Sequence, residues 1–229
     1  MLLTFDPLYF LLVLPAFVLG LWAQLRIKLS YATAEQMPAP LSGAAAARHI
    51  LTSAGVTDVD IEETPGHLSD HYDPRDRVVR LSPEVYHGRS LAAVGIAAHE
   101  AGHALQHAYE YAPLTIRNAA VPVASFGSNA GILLIILGAI LNMNALLIWL
   151  GIGIFSAVVF FQLVNLPVEY NASARAKQQL VMLGIVSPDQ MHYVSRVLNA
   201  AALTYVAATL QAILTLLYFI VRFTGRSND

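Results

Sequence analysis

Long runs of apolar residues divide this chain into segments and leave two polar stretches between them. The apolar runs cover residues 8–25, 121–141, 145–166 and 203–223. A helix needs about 20 mostly apolar residues to cross a bilayer, so each run is long enough for one span. The pattern predicts four transmembrane helices, and only residues 142–144 separate the second from the third, which indicates a tight hairpin.

The first apolar run differs from a cleaved signal peptide in two respects. No basic residue precedes it, and no small-residue cleavage site follows it before Arg26. We therefore expect this run to be retained as a membrane anchor.

The polar stretch between the first two apolar runs combines helix and strand signals. Ser42 is suited to cap a helix over residues 43–53, which Gly55 ends. Ser90 is suited to cap a second helix over residues 91–109. Turn signals separate three short strand-like segments between these helices, and we expect them to form a small antiparallel sheet. The segments are residues 59–63, 68–72 and 77–81.

The composition and charge support a membrane protein and limit which partners and metal ligands are possible. Hydrophobic residues make up 56% of the chain and charged residues 12%, against about 45–50% and about 25% in ordinary soluble domains. The net charge is −2 and no basic cluster occurs, so we expect no nucleic-acid partner. Because the chain has no cysteine, any metal has to be held by histidines and carboxylates.

One motif in the helix predicted over residues 91–109 is typical of a metal site. His99, Glu100 and His103 form an HExxH sequence. Side chains four residues apart lie on one face of a helix, about one turn apart, so both imidazoles can reach one ion. Glu100 falls beside that face, where it can take a proton from a water molecule. The alternative, two histidines that merely form hydrogen bonds, is disfavoured by the apolar surroundings, because burying polar groups is costly.

A catalytic zinc ion needs a third protein ligand, and two residues are candidates. His107 continues the histidine stripe, but on an unbroken helix it lies about 12 Å from His99 along the axis. Three ligands spread over that distance cannot surround one ion, so we expect His107 to contact the ligands or the core instead. Glu169 follows the hairpin, which returns the chain to the side it left, and is the only carboxylate between Glu110 and Asp189. We expect Glu169 to be the third ligand, the alternative being a solvated residue at a helix N-terminus.

The second polar stretch and the segments described above divide the chain into five parts. We predict that Pro167 starts a new helix, which breaks at Ser187 and Pro188. The parts are an N-terminal transmembrane anchor (1–25), a domain with the HExxH helix (26–118), a transmembrane hairpin (119–166), a helical segment with the third ligand (167–202) and a C-terminal transmembrane helix with its tail (203–229).

The chain resembles the YugP-type family of membrane zinc metallopeptidases. The segments that carry the resemblance are residues 68–74, 79–82, 88–90, 99–106 and 166–174. A more distant similarity is to HtpX-type peptidases, which also place a membrane hairpin between HExxH and a glutamate ligand. Those proteins have an aspartate four residues after that glutamate, where this chain has Ser173.

This resemblance implies both the fold class and the metal. The expected fold is a mostly α membrane protein of about four transmembrane helices, with a zincin-like α+β metallopeptidase domain that carries the small sheet. The expected cofactor is one Zn²⁺ per chain, held by His99, His103 and Glu169.

The implied reaction is the hydrolysis of peptide bonds in a protein or peptide substrate by a gluzincin-like zinc metalloendopeptidase. Zinc activates a water molecule, and Glu100 acts as the general base. Other side chains would orient the ligands or stabilise the oxyanion, and the sequence leaves the choice among them open. The candidates are His71, Tyr72, His107, Tyr170, Asn171, Ser173 and Arg175.

Residues 77–81 are a candidate substrate strand. Their charges are typical of an edge strand that avoids pairing with a second copy. In zincin-type peptidases such a strand precedes the metal helix and holds the substrate extended; an inert sheet edge is the alternative. The residues are Arg77, Val78, Val79, Arg80 and Leu81.

Two other function classes compete with this interpretation. A site-2-type intramembrane protease would pair HExxH with an aspartate inside a later span, and no span after His103 contains one. A membrane adaptor or scaffold that retains a zinc site would be favoured if Glu100 were missing, and it is present.

Basic residues near the spans favour a catalytic side in the cytoplasm. Five flank the spans on the catalytic side and two lie on the other. We expect a multi-pass protein of a bacterial plasma membrane, in contact with lipid, and make no prediction of its oligomeric state. The five are Arg26, Lys28, Arg117, Arg175 and Lys177, and the two are Arg222 and Arg226.

Overall fold

The computed structural model of the protein describes residues 6–224. Within that range the chain is mostly helical, with one three-stranded sheet. The helices are α1 (Pro7–Glu35), α2 (Gly43–Ser53), α3 (Pro83–Tyr86), α4 (Leu91–Ala108), α5 (Ala112–Ile140), α6 (Ala145–Met182) and α7 (Met191–Thr224). The strands are β1 (Asp60–Glu63), β2 (His71–Asp73) and β3 (Val78–Leu81).

The described residues form two compact units. The first, which we call the membrane unit, takes the residues up to Trp22, Ile116–Leu166 and the residues from Leu203 onward. The second, which we call the mixed unit, takes Ala23–Thr115 and Pro167–Ala202 and contains the sheet.

Four helices in the described range, α1, α5, α6 and α7, are long and apolar enough to cross a membrane, as predicted. Large apolar side chains of the membrane unit are exposed, among them Leu11 at 70%, Phe126 at 71% and Leu146 at 76%. Soluble proteins rarely expose apolar surface on this scale, whereas lipid would cover it. The predicted hairpin turns between α5 and α6 at Asn142 and Met143, both of which have positive φ.

Two helices of the mixed unit begin at the predicted caps. The Ser42 hydroxyl accepts a hydrogen bond from the backbone N–H of Ala45 at the start of α2. The Ser90 hydroxyl accepts one from Ala93 at the start of α4. Each bond satisfies a donor that the first helical turn would otherwise leave unpaired.

The sheet is mixed, so the prediction of an antiparallel sheet is wrong for one of its two strand pairs. The strand order is β1-β3-β2, with β2 antiparallel and β1 parallel to β3. A tight turn in which the Asp73 carboxylate accepts from the backbone N–H groups of Arg75 and Asp76 makes β2 and β3 antiparallel. β1 pairs with the opposite edge of β3. Between β1 and β3 the chain passes through β2, and this connection is the crossover that a parallel pair requires.

β3 is the central strand, so the prediction that residues 77–81 form an edge strand is wrong. Its backbone pairs with a neighbour on both sides, which leaves no free edge for a substrate. Its apolar side chains are core residues of the mixed unit. The buried ones are Val78, Val79 and Leu81.

The two arginines that suggested an edge strand have carboxylate partners within the mixed unit. Arg80 lies 2.9 Å from Asp73 and 2.6 Å from Asp76, and Arg77 pairs with Asp58. The two arginines therefore neutralise nearby carboxylates and do not indicate an open sheet edge.

α4 lies in the core of the mixed unit, where it packs against α2 and α3. Its alanines and glycines allow neighbouring backbones to approach closely. A Cβ at Gly102 would lie only 2.7 Å from the carbonyl oxygen of Ala172 in α6. Real Cβ atoms do not approach a backbone oxygen so closely, so glycine at this position permits the contact between α4 and α6.

α6 runs without a break through Pro167, so the prediction that a new helix begins there is wrong. Proline removes one backbone donor from a helix interior, which usually disfavours it there. Val168 and Ala172 on the following turns are fully buried. Tertiary packing of these turns outweighs the local preference.

Candidate metal centre

α4 presents His99 and His103 on one face, one turn apart. Their ring centroids are 4.7 Å apart, and the rings meet edge to face. This arrangement follows from the helical period, because residues i and i+4 lie one above the other. Both imidazoles can therefore direct a nitrogen to the same point.

Glu169 on α6 completes a cluster with these two histidines. Its Oε2 lies 3.3 Å from His99 Nε2 and 3.6 Å from His103 Nε2. The side chains are 14% exposed for His99, 9% for His103 and 4% for Glu169, so little water reaches the cluster. Within residues 6–224 this is the group of three His, Asp or Glu side chains arranged to hold a metal ion, with its ligand atoms within 4.8 Å of one another.

The spacing and chemistry of these three atoms fit a zinc ion. Zinc binds imidazole nitrogen and carboxylate oxygen at about 2.0–2.2 Å in a tetrahedral arrangement, which places ligand atoms roughly 3.3 Å apart. The two Oε2–Nε2 separations, 3.3 and 3.6 Å, are close to that value. Two histidines and one glutamate leave a fourth position for a reacting group, as catalytic zinc sites do.

Both imidazoles have a hydrogen-bond partner on the nitrogen that faces away from Glu169. His99 Nδ1 lies 3.1 Å from the Ser173 hydroxyl, and His103 Nδ1 lies 3.0 Å from Gln106 Oε1. Such partners fix the ring orientation of metal-binding histidines. The structure thus places Ser173 beside a candidate ligand.

Gln106, which contacts a candidate ligand, is not among the site residues predicted from the sequence. Its side chain is fully buried, and Nε2 donates to the Val168 carbonyl at 2.8 Å and to Asn171 Oδ1 at 3.0 Å. One signal was available in the sequence, namely a polar amide three residues after His103 on a helix that is otherwise nearly all apolar. That spacing places it one turn from the ligand.

Asn171 and Arg175 belong to the same group of contacts. Arg175 Nε donates to Asn171 Oδ1 at 2.8 Å. The guanidinium also lies over the rings of Tyr109, at 5.6 Å, and Tyr111, at 6.0 Å. Tyr170, another predicted candidate, is 50% exposed.

Glu100 is buried beside His99 on α4. Burial raises the pKa of its carboxyl group to about 7; the His99 ring opposes this, and the Glu169 and Asp70 carboxylates add to it. The His71 ring also lies near enough to lower the Glu100 pKa. The carboxyl group therefore lies next to the candidate ligands in a site with little solvent.

The two candidates on β2 have different partners. His71 Nδ1 lies 2.7 Å from the Ser69 carbonyl. The Tyr72 hydroxyl lies 2.7 Å from His107 Nδ1, which places His107 in contact with β2. Burial, with a contribution from the Asp73 charge, raises the pKa of Tyr72 to about 12, so the hydroxyl keeps its proton at neutral and moderately alkaline pH.

Comparisons with known proteins agree on one family. A family model described as "Putative neutral zinc metallopeptidase" matches residues 9–224. The "Putative membrane protease YugP" of Bacillus subtilis (strain 168) is 46% identical over 225 residues, which cover 97% of this chain and 100% of that protein. No solved structure gives a significant match.

Proposed function

This chain belongs to the neutral zinc metallopeptidase family, and we propose that it is a membrane-anchored endopeptidase that hydrolyses protein or peptide substrates. We propose further that one zinc ion binds His99, His103 and Glu169. The observation that carries this proposal is the convergence of these three side chains beside the buried carboxyl group of Glu100.

Each residue of the site has a distinct task in this reaction. Bound zinc supplies a Lewis acid that polarises the scissile carbonyl and makes water a better nucleophile. Glu100 accepts a proton from the attacking water and passes it to the leaving amine. Ser173 and Gln106 orient the two imidazoles. The low exposure of the cluster strengthens every electrostatic interaction within it.

We assign the stabilisation of the oxyanion to β2. Arg175 is a weaker candidate because its guanidinium is held by Asn171 and two tyrosine rings. Tyr72 and His71 lie on a strand that packs against α4, and Tyr72 remains neutral because of its raised pKa. Its hydroxyl has one hydrogen, which it can donate to the oxyanion while it accepts a hydrogen bond from His107 Nδ1. Donors aimed at developing charge are typically worth a factor of about 10² to 10³ in kcat.

β2 also replaces β3 as the candidate site of substrate capture. It is an edge strand of the sheet, and an extended peptide can add to such an edge through backbone hydrogen bonds. A substrate bound in this way has to be unfolded over several residues. We therefore expect cleavage of unfolded proteins such as casein, and little cleavage of a compact folded domain.

The replacement Glu100→Gln tests the proposed mechanism. It keeps the shape of the side chain and the three ligands but removes the base, so we expect one zinc per chain and no measurable proteolysis. Metal analysis and a casein assay with and without chelator provide the readouts. Chelator-sensitive cleavage by the variant at the wild-type rate would contradict the role given to Glu100.

We also propose that the catalytic residues face the cytoplasm, as the distribution of Lys and Arg favours. The chain has no cysteine, so single replacements give clean labelling sites. Met143→Cys in the α5–α6 hairpin should react with an impermeant reagent on intact cells, and Asp60→Cys only after lysis. Labelling of Asp60→Cys on intact cells would reverse the orientation.

A further inference from the structure

We propose that Gln106 is a positioning residue that holds the His103 imidazole in the tautomer that can bind zinc. The inference rests on the zinc site proposed above. Gln106 lies outside the HExxH motif. Its role follows from a series of hydrogen bonds that begins at Arg175.

A guanidinium can only donate hydrogen bonds, because it has no acceptor atom. The Asn171 atom that lies 2.8 Å from Arg175 Nε must therefore be the carbonyl Oδ1 and not the amide nitrogen. Contacts with the rings of Tyr109 and Tyr111 help to hold the guanidinium in this place. The orientation of the Asn171 amide is thereby determined.

Two oxygens then determine the orientation of the Gln106 amide. The Asn171 Oδ1 and the Val168 carbonyl lie 3.0 and 2.8 Å from its Nε2, and both are acceptors. If the amide were turned over, its oxygen would face two other oxygens. Gln106 is fully buried, so water could not compensate for the lost bonds. The Gln106 oxygen therefore faces His103.

This oxygen determines the position of the hydrogen on the His103 ring. It lies 3.0 Å from Nδ1 and can only accept, so Nδ1 carries the hydrogen and donates it. In the neutral ring the lone pair is then on Nε2. Nε2 is the atom that lies 3.6 Å from Glu169 Oε2, at the candidate metal position. This tautomer leaves the Nε2 lone pair available to an ion at that position.

His99 lacks such a constraint. Its Nδ1 lies 3.1 Å from the Ser173 hydroxyl, which can rotate to donate or to accept. This contact is compatible with either tautomer. The directional control that we infer is therefore specific to His103 and to Gln106.

The test compares Gln106→Leu with two further variants of the full-length protein. Leucine fills similar space but offers no acceptor and no donor. Gln106→Glu keeps an acceptor for the Nδ1 hydrogen while losing both donors, so it should rescue the tautomer although it weakens the contact with α6. Leu105→Ala is the matched control, since Leu105 is a neighbouring buried residue of α4 with no polar contact to the site.

Two measurements are made on each variant. Histidine nitrogen chemical shifts in metal-free protein, in detergent at a pH where the rings are neutral, report which nitrogen carries the hydrogen. The His103 signal is assigned by its loss in His103→Asn. Competition with a chelator reports the zinc dissociation constant.

We expect His103 to carry its hydrogen on Nδ1 in the wild type, in Gln106→Glu and in Leu105→Ala. In Gln106→Leu the Nε2–H form should appear, and the zinc dissociation constant should rise by about 10-fold to 100-fold, as is usual when the partner of a histidine ligand is removed. An unchanged tautomer in Gln106→Leu would overturn the proposal, as would an equal loss of zinc affinity in Leu105→Ala.

These outcomes are separate from those that test the proteolytic function. Wild-type protein that binds no zinc would contradict the proposed function. The tautomer readout uses metal-free protein and would still decide the role of Gln106.

Discussion

Close helix–helix contacts at a glycine occur in both the mixed unit and the membrane unit, but the groups around these contacts differ. In each unit two helices approach until only glycine fits: a Cβ at Gly102 would lie 2.7 Å from the Ala172 carbonyl oxygen, and one at Gly151 would lie 2.6 Å from that of Gly131. In the membrane unit the contact lies among apolar side chains, as small residues do in packed transmembrane helices. In the mixed unit the contact lies within one turn of ionisable side chains.

A second parallel between the units concerns tyrosine. The Tyr72 hydroxyl in the mixed unit lies 2.7 Å from His107, and the Tyr218 hydroxyl in the membrane unit donates to Asp6 at 2.9 Å. The local interactions are alike, and only the first lies on a strand next to the candidate catalytic residues. Packing geometry alone therefore does not identify a site; the chemistry of the neighbouring groups does.

The largest effect is expected when a ligand of the mixed unit is removed. Glu169→Ala should lose most of the zinc, because two imidazoles alone hold the ion weakly and the carboxylate is one of three proposed ligands. His107→Ala should keep about one zinc per chain, since His107 contacts Tyr72 and lies outside the cluster. Metal analysis of the purified variants measures both, and the opposite ranking would refute the Glu169 assignment.

The second largest effect, on kcat, is expected when Tyr72 is replaced and compared with Tyr218. Tyr72→Phe should lower kcat by about 10²-fold with zinc content unchanged, because an oxyanion donor is lost. Tyr218→Phe, the matched change in the membrane unit, should leave kcat unchanged. Because the pKa of Tyr72 is raised to about 12, its deprotonation should cause no fall in wild-type activity between pH 7 and about pH 10. Equal kcat values for the two variants would exclude Tyr72 from the reaction.

A smaller effect, on zinc affinity, is expected when the glycine at the α4–α6 contact is replaced. Gly102→Ala forces α4 and α6 apart, and overpacking of this kind costs about 1–3 kcal/mol, so zinc affinity should fall by about tenfold. Gly151→Ala is equally crowded and should lower the thermal midpoint while leaving zinc affinity unchanged. Chelator competition and thermal unfolding separate these results. A similar loss of zinc affinity in both variants would show that general loosening, and not the α4–α6 contact, is responsible.

Local rules predicted the four spans, both serine caps and the helix that carries His99, Glu100 and His103. Each depends on a period or on residues a few positions apart, which a sequence displays directly. Glu169 could be proposed because it is the only carboxylate in a long stretch.

The remaining features depend on contacts between distant residues. The parallel pairing of β1 with β3 is decided by which strands meet, and an alternating pattern does not contain that information. A local preference favours a helix start at Pro167, and tertiary packing overrides that preference. Gln106 bonds to a backbone carbonyl 62 residues away, and any polar residue could have stood at that position without changing the local pattern.

The smallest effect is expected at the surface of the mixed unit, where Asp73 pairs with Arg80 at 2.9 Å. The pKa of Asp73 is lowered, first by the hydrogen bond from the Arg75 backbone and then by Arg80 and the Asp76 backbone. A carboxyl group whose folded-state pKa is depressed stabilises the fold above its unfolded pKa, about 3.9, and loses that contribution as the pH falls through the folded value. Asp73→Asn should therefore lower the thermal midpoint slightly at pH 7, and the difference from the wild type should shrink below about pH 4. Added salt should narrow it at pH 7 as well, because the pair is partly exposed and is therefore screened. A difference that grew towards acid pH would contradict the assigned direction of the pKa.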